Sequence, residues 1–158
     1  MKLAEALAER SDCQKRIGEI RSRLDRSARI QEGEKPAEDP DELLAEADRI
    51  HARLLKLISA INRTNSRTAF DNESTISDVI AERDVMGKRR EFLSEVAGAA
   101  NSRWDRYSKS ELRYIVTLPV AKLRTEADQI ARRYRELDLR IQALNWNTEI
   151  QELKTELI

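Results

Sequence analysis

The chain has 158 residues, 37% of them Asp, Glu, Lys or Arg, with 4% aromatics, four glycines and three prolines. So few turn-formers exclude a β-sandwich or barrel, which needs a turn every 8–12 residues or so, and a mean hydropathy of −0.67 excludes a membrane-embedded protein. Twenty-nine basic residues against 29 acidic ones leave no net charge, hence no whole-chain field that favours nucleic acid or an anionic membrane.

The length fits one domain over residues 1–158. A first helix is expected over residues 3–28. Leu3, Ala6, Arg10, Cys13, Ile17, Ile20, Leu24 and Ser27 alternate steps of three and four, the spacing of a heptad seam. Arg10 departs from it, and a stem laid along the seam with its head in water accounts for that. Residues 31–40 hold two of the three prolines and Gly33 and read as a loop. Asp39 then suits the N-cap, Pro40 the first helical position and Glu42 the far end of a capping box.

The second helix is expected over residues 40–62. Leu43, Ala47, Ile50, Leu54, Leu57 and Ile61 form one stripe, which Leu44, Leu55 and Ile58 widen. A stripe that wide predicts contact with more than one neighbour. The polar run 62–68 ends this helix, Asp71 and Asn72 make a turn, and a third helix covers residues 75–100. Its apolar positions include Val79, Ile80, Val85, Met86, Phe92, Leu93, Val96 and Ala97. Gly87 and Gly98 within it each cost up to about 1 kcal/mol relative to Ala, and so predict close helix approach.

Residues 112–118 carry the one β-like period: Leu112, Tyr114, Val116 and Leu118 alternate with Arg113, Ile115 and Thr117. A short strand paired with residues 65–70 or another subunit is one reading. An extended connection that packs without pairing is the other. The fourth helix, residues 119–148, keeps its 3-4 spacing from Val120 to Thr148 without a slip. Leu137 in mid-seam is expected fully buried and Arg133 exposed. The fold class expected is all-α, an elongated bundle of four long antiparallel helices, with a short β element near 112–118 under the first reading.

Charge is distributed in blocks. Residues 32–48 hold eight acidic residues and one basic, and residues 49–70 hold five basic and no acidic. Residues 71–86 are acidic, five to one, and residues 87–114 basic, seven to four. Such alternation suits helices that neutralise one another within a bundle or between subunits, or a solvated face.

Chemistry is sparse. His51 and Cys13 are the single histidine and cysteine, which excludes an internal disulfide, a cysteine zinc cluster and a two-histidine metal site. Asp48 stands one turn before His51, but a di-metal bundle site needs that element twice and two further carboxylates. A solvent-facing pair is expected, and Cys13 on the seam reads as a small core residue. Phosphate-binding glycine loops and nucleophile-elbow motifs do not occur. No enzymatic activity, cofactor or metal is expected. The sequons at Asn62 and Asn72 mark exposed polar loops, because the acidic start Met1–Arg10 is no signal peptide. The expected location is cytoplasmic.

One segment concentrates recognition chemistry. Trp104, Tyr107 and Tyr114 stand among Arg103, Arg106, Lys109 and Arg113. Aromatics interleaved with cations stack bases or build protein interfaces, and a neutral chain favours the interface. The function expected is a non-enzymatic structural or interaction protein acting as a homo-oligomer, with this segment in the contact. A nucleic-acid-binding module on the same residues is the alternative.

Seven stretches also carry a resemblance. They are Met1–Leu7; Gln31-Glu32-Gly33-Glu34 with Pro36 and Glu38-Asp39-Pro40; Ile61–Asn65; Ala81-Glu82-Arg83-Asp84; Tyr107–Glu111; Tyr134–Asp138; and Asn145-Trp146. Together they resemble the small bacterial helical proteins called septicolysin-like. The resemblance implies no established enzymatic activity or cofactor and, by its name, a membrane-active cytolysin. A pore-former must enter a membrane, and no apolar run here has the length to do so. The partner expected is the chain itself, with an unidentified protein as the alternative, rather than a membrane or nucleic acid. Within these stretches Asn62, Thr64 and Asn65 read as helix-end capping and a turn, with ligand binding as the alternative. Glu82, Arg83 and Asp84 read as a salt-bridged surface, with a partner-binding cluster as the alternative.

Overall fold

Four helices carry the regular structure of the computed structural model, which describes residues 1–100 and 115–151. They are α1 (Leu3–Ser27), α2 (Pro40–Arg67), α3 (Ile76–Ala99) and α4 (Val120–Asn147). Among the described residues there is no sheet; two isolated bridges, Lys2 with Glu149 and Ala69 with Thr75, are the β-type pairings. The all-α class follows from the local rules. Asp39 caps α2 by accepting from the Asp41 amide at 2.9 Å, with Pro40 next in the first helical position. Gly33, at φ 91°, turns the preceding loop in a conformation that favours glycine.

The chain divides into two compact units, one of Met1–Ser77 with the chain from Gln142, the other of Asp78–Ile141. In the first, α1 and α2 run antiparallel. Glu9 pairs with Arg53, Arg16 with Glu46 and Arg23 with Glu38, so position on α1 rises as position on α2 falls. Between them lie Leu3, Ala6, Cys13 and Ile20 of α1 and Leu43, Ile50, Leu57 and Ile61 of α2, all buried. The heptad spacing of α1 names its packed side correctly. Arg10 is half-buried in that seam, with its Nε enclosed and without a hydrogen-bond partner among the described residues.

Helix α2 continues five residues beyond the expected end. The polar run does not break it, because Thr64 is fully buried and bonds on both sides. Its Oγ1 donates to the Ala60 carbonyl at 2.8 Å and accepts from the Gln151 amide at 3.1 Å. The chain after α4 also completes the start of α1: the Leu3 amide donates to the Thr148 carbonyl at 2.8 Å, and the Ile150 amide to the Met1 carbonyl at 3.0 Å. An amide at a helix start has no partner within the helix, and residues 148–151 supply one. After α2 the Asp71 carboxylate accepts from the Glu73 and Ser74 amides at 3.0 and 2.8 Å, which makes the expected turn.

In the second unit α3 and α4 are also antiparallel, with Arg83 bound to Asp138 and Arg89 to Glu126. A Cβ on Gly87 would stand 3.4 Å from the Tyr134 ring, whereas Gly98 faces open space. Close approach thus accounts for one of the two glycines. Val79, Leu93, Ala97, Ala127 and Ile141 are buried. Leu137 is only half-buried, contrary to the expectation from its seam, because α3 is the one described helix of this unit that packs on α4. Val85 and Phe92 lie off the packed side and are exposed. Residues 115–118 are irregular and exposed, so no strand forms there, and residues 112–114 lie outside the described residues. The suggested partner is unavailable: 65–67 belong to α2, and Ala69 pairs with Thr75.

Two stability rankings follow. Leu57→Ala empties a fully buried site and should cost roughly 2–5 kcal/mol, half-buried Leu137→Ala about half that, and exposed Arg133→Ala less than about 0.5 kcal/mol. Urea melts give the order directly. Gly18→Ala, mid-helix with open space around the new methyl, should raise stability by roughly 0.5–1 kcal/mol, read as a higher melting temperature.

Candidate functional site

The polar side chains capable of chemistry are gathered where helices meet. On the α1–α2 pair, Arg53 grips Glu9 with two bonds, Nε to Oε1 at 2.7 Å and Nη2 to Oε2 at 2.9 Å, the forked geometry that guanidinium and carboxylate favour. Arg16 meets Glu46 at 3.2 Å, and Arg23 binds Glu38 through Nε at 3.0 Å and stands 3.9 Å from Glu46. The bond from Arg53 holds the Glu9 carboxyl below the usual carboxylate range, against a smaller opposing effect of burial. Arg23 does the same for Glu38. In return the bonds raise the pKa values of both guanidiniums. These carboxylates are a third or more exposed, so water screens them and their work is to hold register.

On the α3–α4 pair, Arg83 reaches Asp138 and Asp84, each at 2.9 Å. Burial opposes its charge, but the two carboxylates outweigh it and raise its pKa. Arg83 and Asp84 thus form the salt-bridged surface that their sequence suggests. Small side chains beside Gly87, chiefly Ala127 and Ala131, leave an open groove of about 680 Å³ over Tyr134.

The end of α2 was misread from sequence. The Thr64 side chain is not a cap but a buried post on which residue 151 hangs, while Arg67 Nη1 donates to Gln151 Oε1 at 2.9 Å. Asn65 Oδ1 is enclosed with no hydrogen-bond partner among the described residues. The pairing of Thr64 and Arg67 with Gln151 spans more than 80 residues, and no local pattern could have shown it.

His51 donates from Nδ1 to the Ala47 carbonyl at 2.8 Å and is exposed, as is Asp48. Among the described residues no group of three or more His, Cys, Asp or Glu side chains could hold a metal ion. Cys13 is buried, as its seam position indicates. The recognition segment with Arg103, Trp104, Arg106, Tyr107, Lys109, Arg113 and Tyr114 lies outside the described residues. No described helix is long and apolar enough to cross a membrane.

The helices also carry a set of exposed large apolar side chains. Leu44 and Leu55 of α2 are 51% and 66% exposed, Val85 and Phe92 of α3 64% and 62%, and Leu139 and Trp146 of α4 70% and 62%. The apolar pattern had assigned the first four to helix packing. The signal was present in their spacing, since 85 and 92, like 139 and 146, are seven residues apart on one helix face.

The model of a family of unknown function (DUF6847) matches residues 10–150 of this chain. The crystal structure of a functionally unknown conserved protein from Corynebacterium diphtheriae is similar at 44% identity and a TM-score of 0.90, over 96% of this chain and 99% of that one. No curated protein matches. These findings overturn the septicolysin-like resemblance. The stretches that carried it perform local tasks, such as the Asp39 cap, the Arg83 ion pairs and the Tyr134 contact, that any helical protein can share. The cytolysin reading rested on that resemblance and falls with it.

The Glu9–Arg53 pair predicts a pH dependence. The folded-state pKa of Glu9 is lowered, so its contribution is complete above an unfolded value of about 4.3 and is lost as pH falls through the folded value. At this exposure it is at most about 1 kcal/mol. Glu9→Gln should therefore be less stable than the native chain at pH 7, with the gap closing below about pH 4. Urea melts at both pH values check this, and a constant gap would rule the pair out as its source.

Proposed function

We propose that this chain, which belongs to DUF6847, a family of unknown function, is a non-enzymatic structural or interaction protein that works in the cytoplasm as an assembly of its own copies. One observation carries the reading: six large apolar side chains, Leu44, Leu55, Val85, Phe92, Leu139 and Trp146, are more than half exposed on three helices. Single exposed apolar residues are ordinary, but two on one helix face, as Leu44 and Leu55 of α2 or Val85 and Phe92 of α3 are, suit a contact. Helix pairs of this kind bury one side of each helix and leave the other to be covered.

Copies of one chain are a natural cover. Homo-oligomers with closed symmetry are the commonest assemblies of soluble proteins, and the alternating charge blocks give the chain opposite charges to set against one another. The ion-paired carboxylates described above are supporting parts in this reading, since each is committed to an arginine. Recognition by Trp104, Tyr107 and their cationic neighbours adds to the same contact.

Multi-angle light scattering at micromolar concentration tests the proposal. The expected mass is a whole multiple of 18.3 kDa, two or more. A monomer mass across that range overturns it.

A further inference from the structure

We propose that the outer face of α2 docks against the same face of a second copy, antiparallel, with Leu44 of each copy opposite Leu55 of the other. The inference rests on the self-association proposed above and specifies its face and register. Helix α2 has two stripes. Leu43, Ile50, Leu57 and Ile61 are buried on the side of α1, while Leu44, Asp48, His51 and Leu55, with steps of four, three and four, are exposed on the other side. Half-buried Ile58 continues the outer stripe by a further step of three. This is the spacing that keeps one helix face against a straight partner.

Leu44 and Leu55 lie about 16 Å apart along the helix. A two-fold axis midway between them, beside Arg49 and Ile50, sets each leucine against the other kind. The same axis sets Asp48 of one copy against His51 of the second. The Nδ1 of His51 is engaged with the Ala47 carbonyl, which leaves Nε2 to face that carboxylate.

Charge selects this arrangement. Over residues 40–59, the part of α2 that this register pairs, Asp41, Glu42, Glu46 and Asp48 come first, and Arg49, Arg53 and Lys56 follow. Antiparallel pairing lays the acidic half along the basic half of the second copy, and a parallel pair would lay like on like. Toward α1 these charges are already used, by Glu46 and Arg53. Among the described residues Asp41, Glu42, Asp48 and Lys56 have no ion-pair partner. The exposed pair on α3 lacks this self-complementarity. Val85 set against Phe92 of a second α3 would bring Glu82 opposite Glu95 and Lys88 opposite Arg89.

Disulfide trapping tests face and register together. Leu44→Cys and Leu55→Cys are prepared as separate full-length variants, mixed, and mildly oxidised; the native chain with its buried Cys13 is the control. The mixture should give the mixed 44–55 disulfide dimer, identified by mass, at least tenfold above either variant alone. Asp48→Cys mixed with His51→Cys keeps both leucines and should behave alike. Light scattering on the same samples separates the two failures. An assembly in which neither pair cross-links, or in which Leu44→Cys traps itself or Phe92→Cys instead, overturns this face and register but leaves self-association standing. A monomeric native chain overturns both.

Discussion

Two helices laid side by side can enclose one seam and no more, and the rest of this structure follows from that limit. On α1 and α2 the buried positions are Leu3, Ala6, Cys13 and Ile20, and Leu43, Ile50, Leu57, Ala60, Ile61 and Thr64. Here Leu44 and Leu55 stand in water on the reverse of α2. Apolar burial is the dominant favourable term in folding and scales with area removed from water. A narrow seam therefore needs reinforcement at its edges and ends, and leaves apolar surface over.

The reinforcement at the edges is electrostatic and the reinforcement at the ends is main-chain hydrogen bonding. Arg53 with Glu9 and Arg23 with Glu38 stitch one side of α1–α2, as Arg83 with Asp138 does for α3–α4. Partly exposed ion pairs contribute little stability each, but a pair that fits in one register opposes every slip of one helix along the other. The ends are held differently. Residues 148–151 donate to or accept from Met1, Leu3 and Thr64, so the last described stretch of the chain ties down both the start of α1 and the close of α2.

How much was legible in the sequence depends on the distance over which each feature is decided. The seam of α1 was readable because heptad spacing is local, and the cap of α2 because Asp39, Pro40 and Asp41 are adjacent. The true end of α2 was not, because Thr64 and Arg67 are satisfied by Gln151, and in isolation the run Asn62–Arg67 has the composition of a turn. The half-burial of Leu137 was hidden for another reason. Its seam is unbroken from Val120 to Leu144, and that pattern tells which side faces a partner without telling how many partners arrive. The recognition segment 103–114 was conspicuous as composition alone, and composition does not say whether an arginine beside a tryptophan meets a base or a second protein.

The same ambiguity explains why the function was harder to read than the fold. Leu44 and Leu55 looked like core because their spacing is that of core. A hydrophobic stripe records a demand for a covering surface and carries no label for the chain that supplies it. The described neighbours of α2 leave Leu55 of that stripe 66% exposed. In the dimer proposed above charge narrows the choice: over residues 40–59 α2 is acidic first and basic second, and so complementary to its own reversed copy. Under that proposal the wide stripe and the split charge of α2 are two readings of one property, a helix paired on both sides.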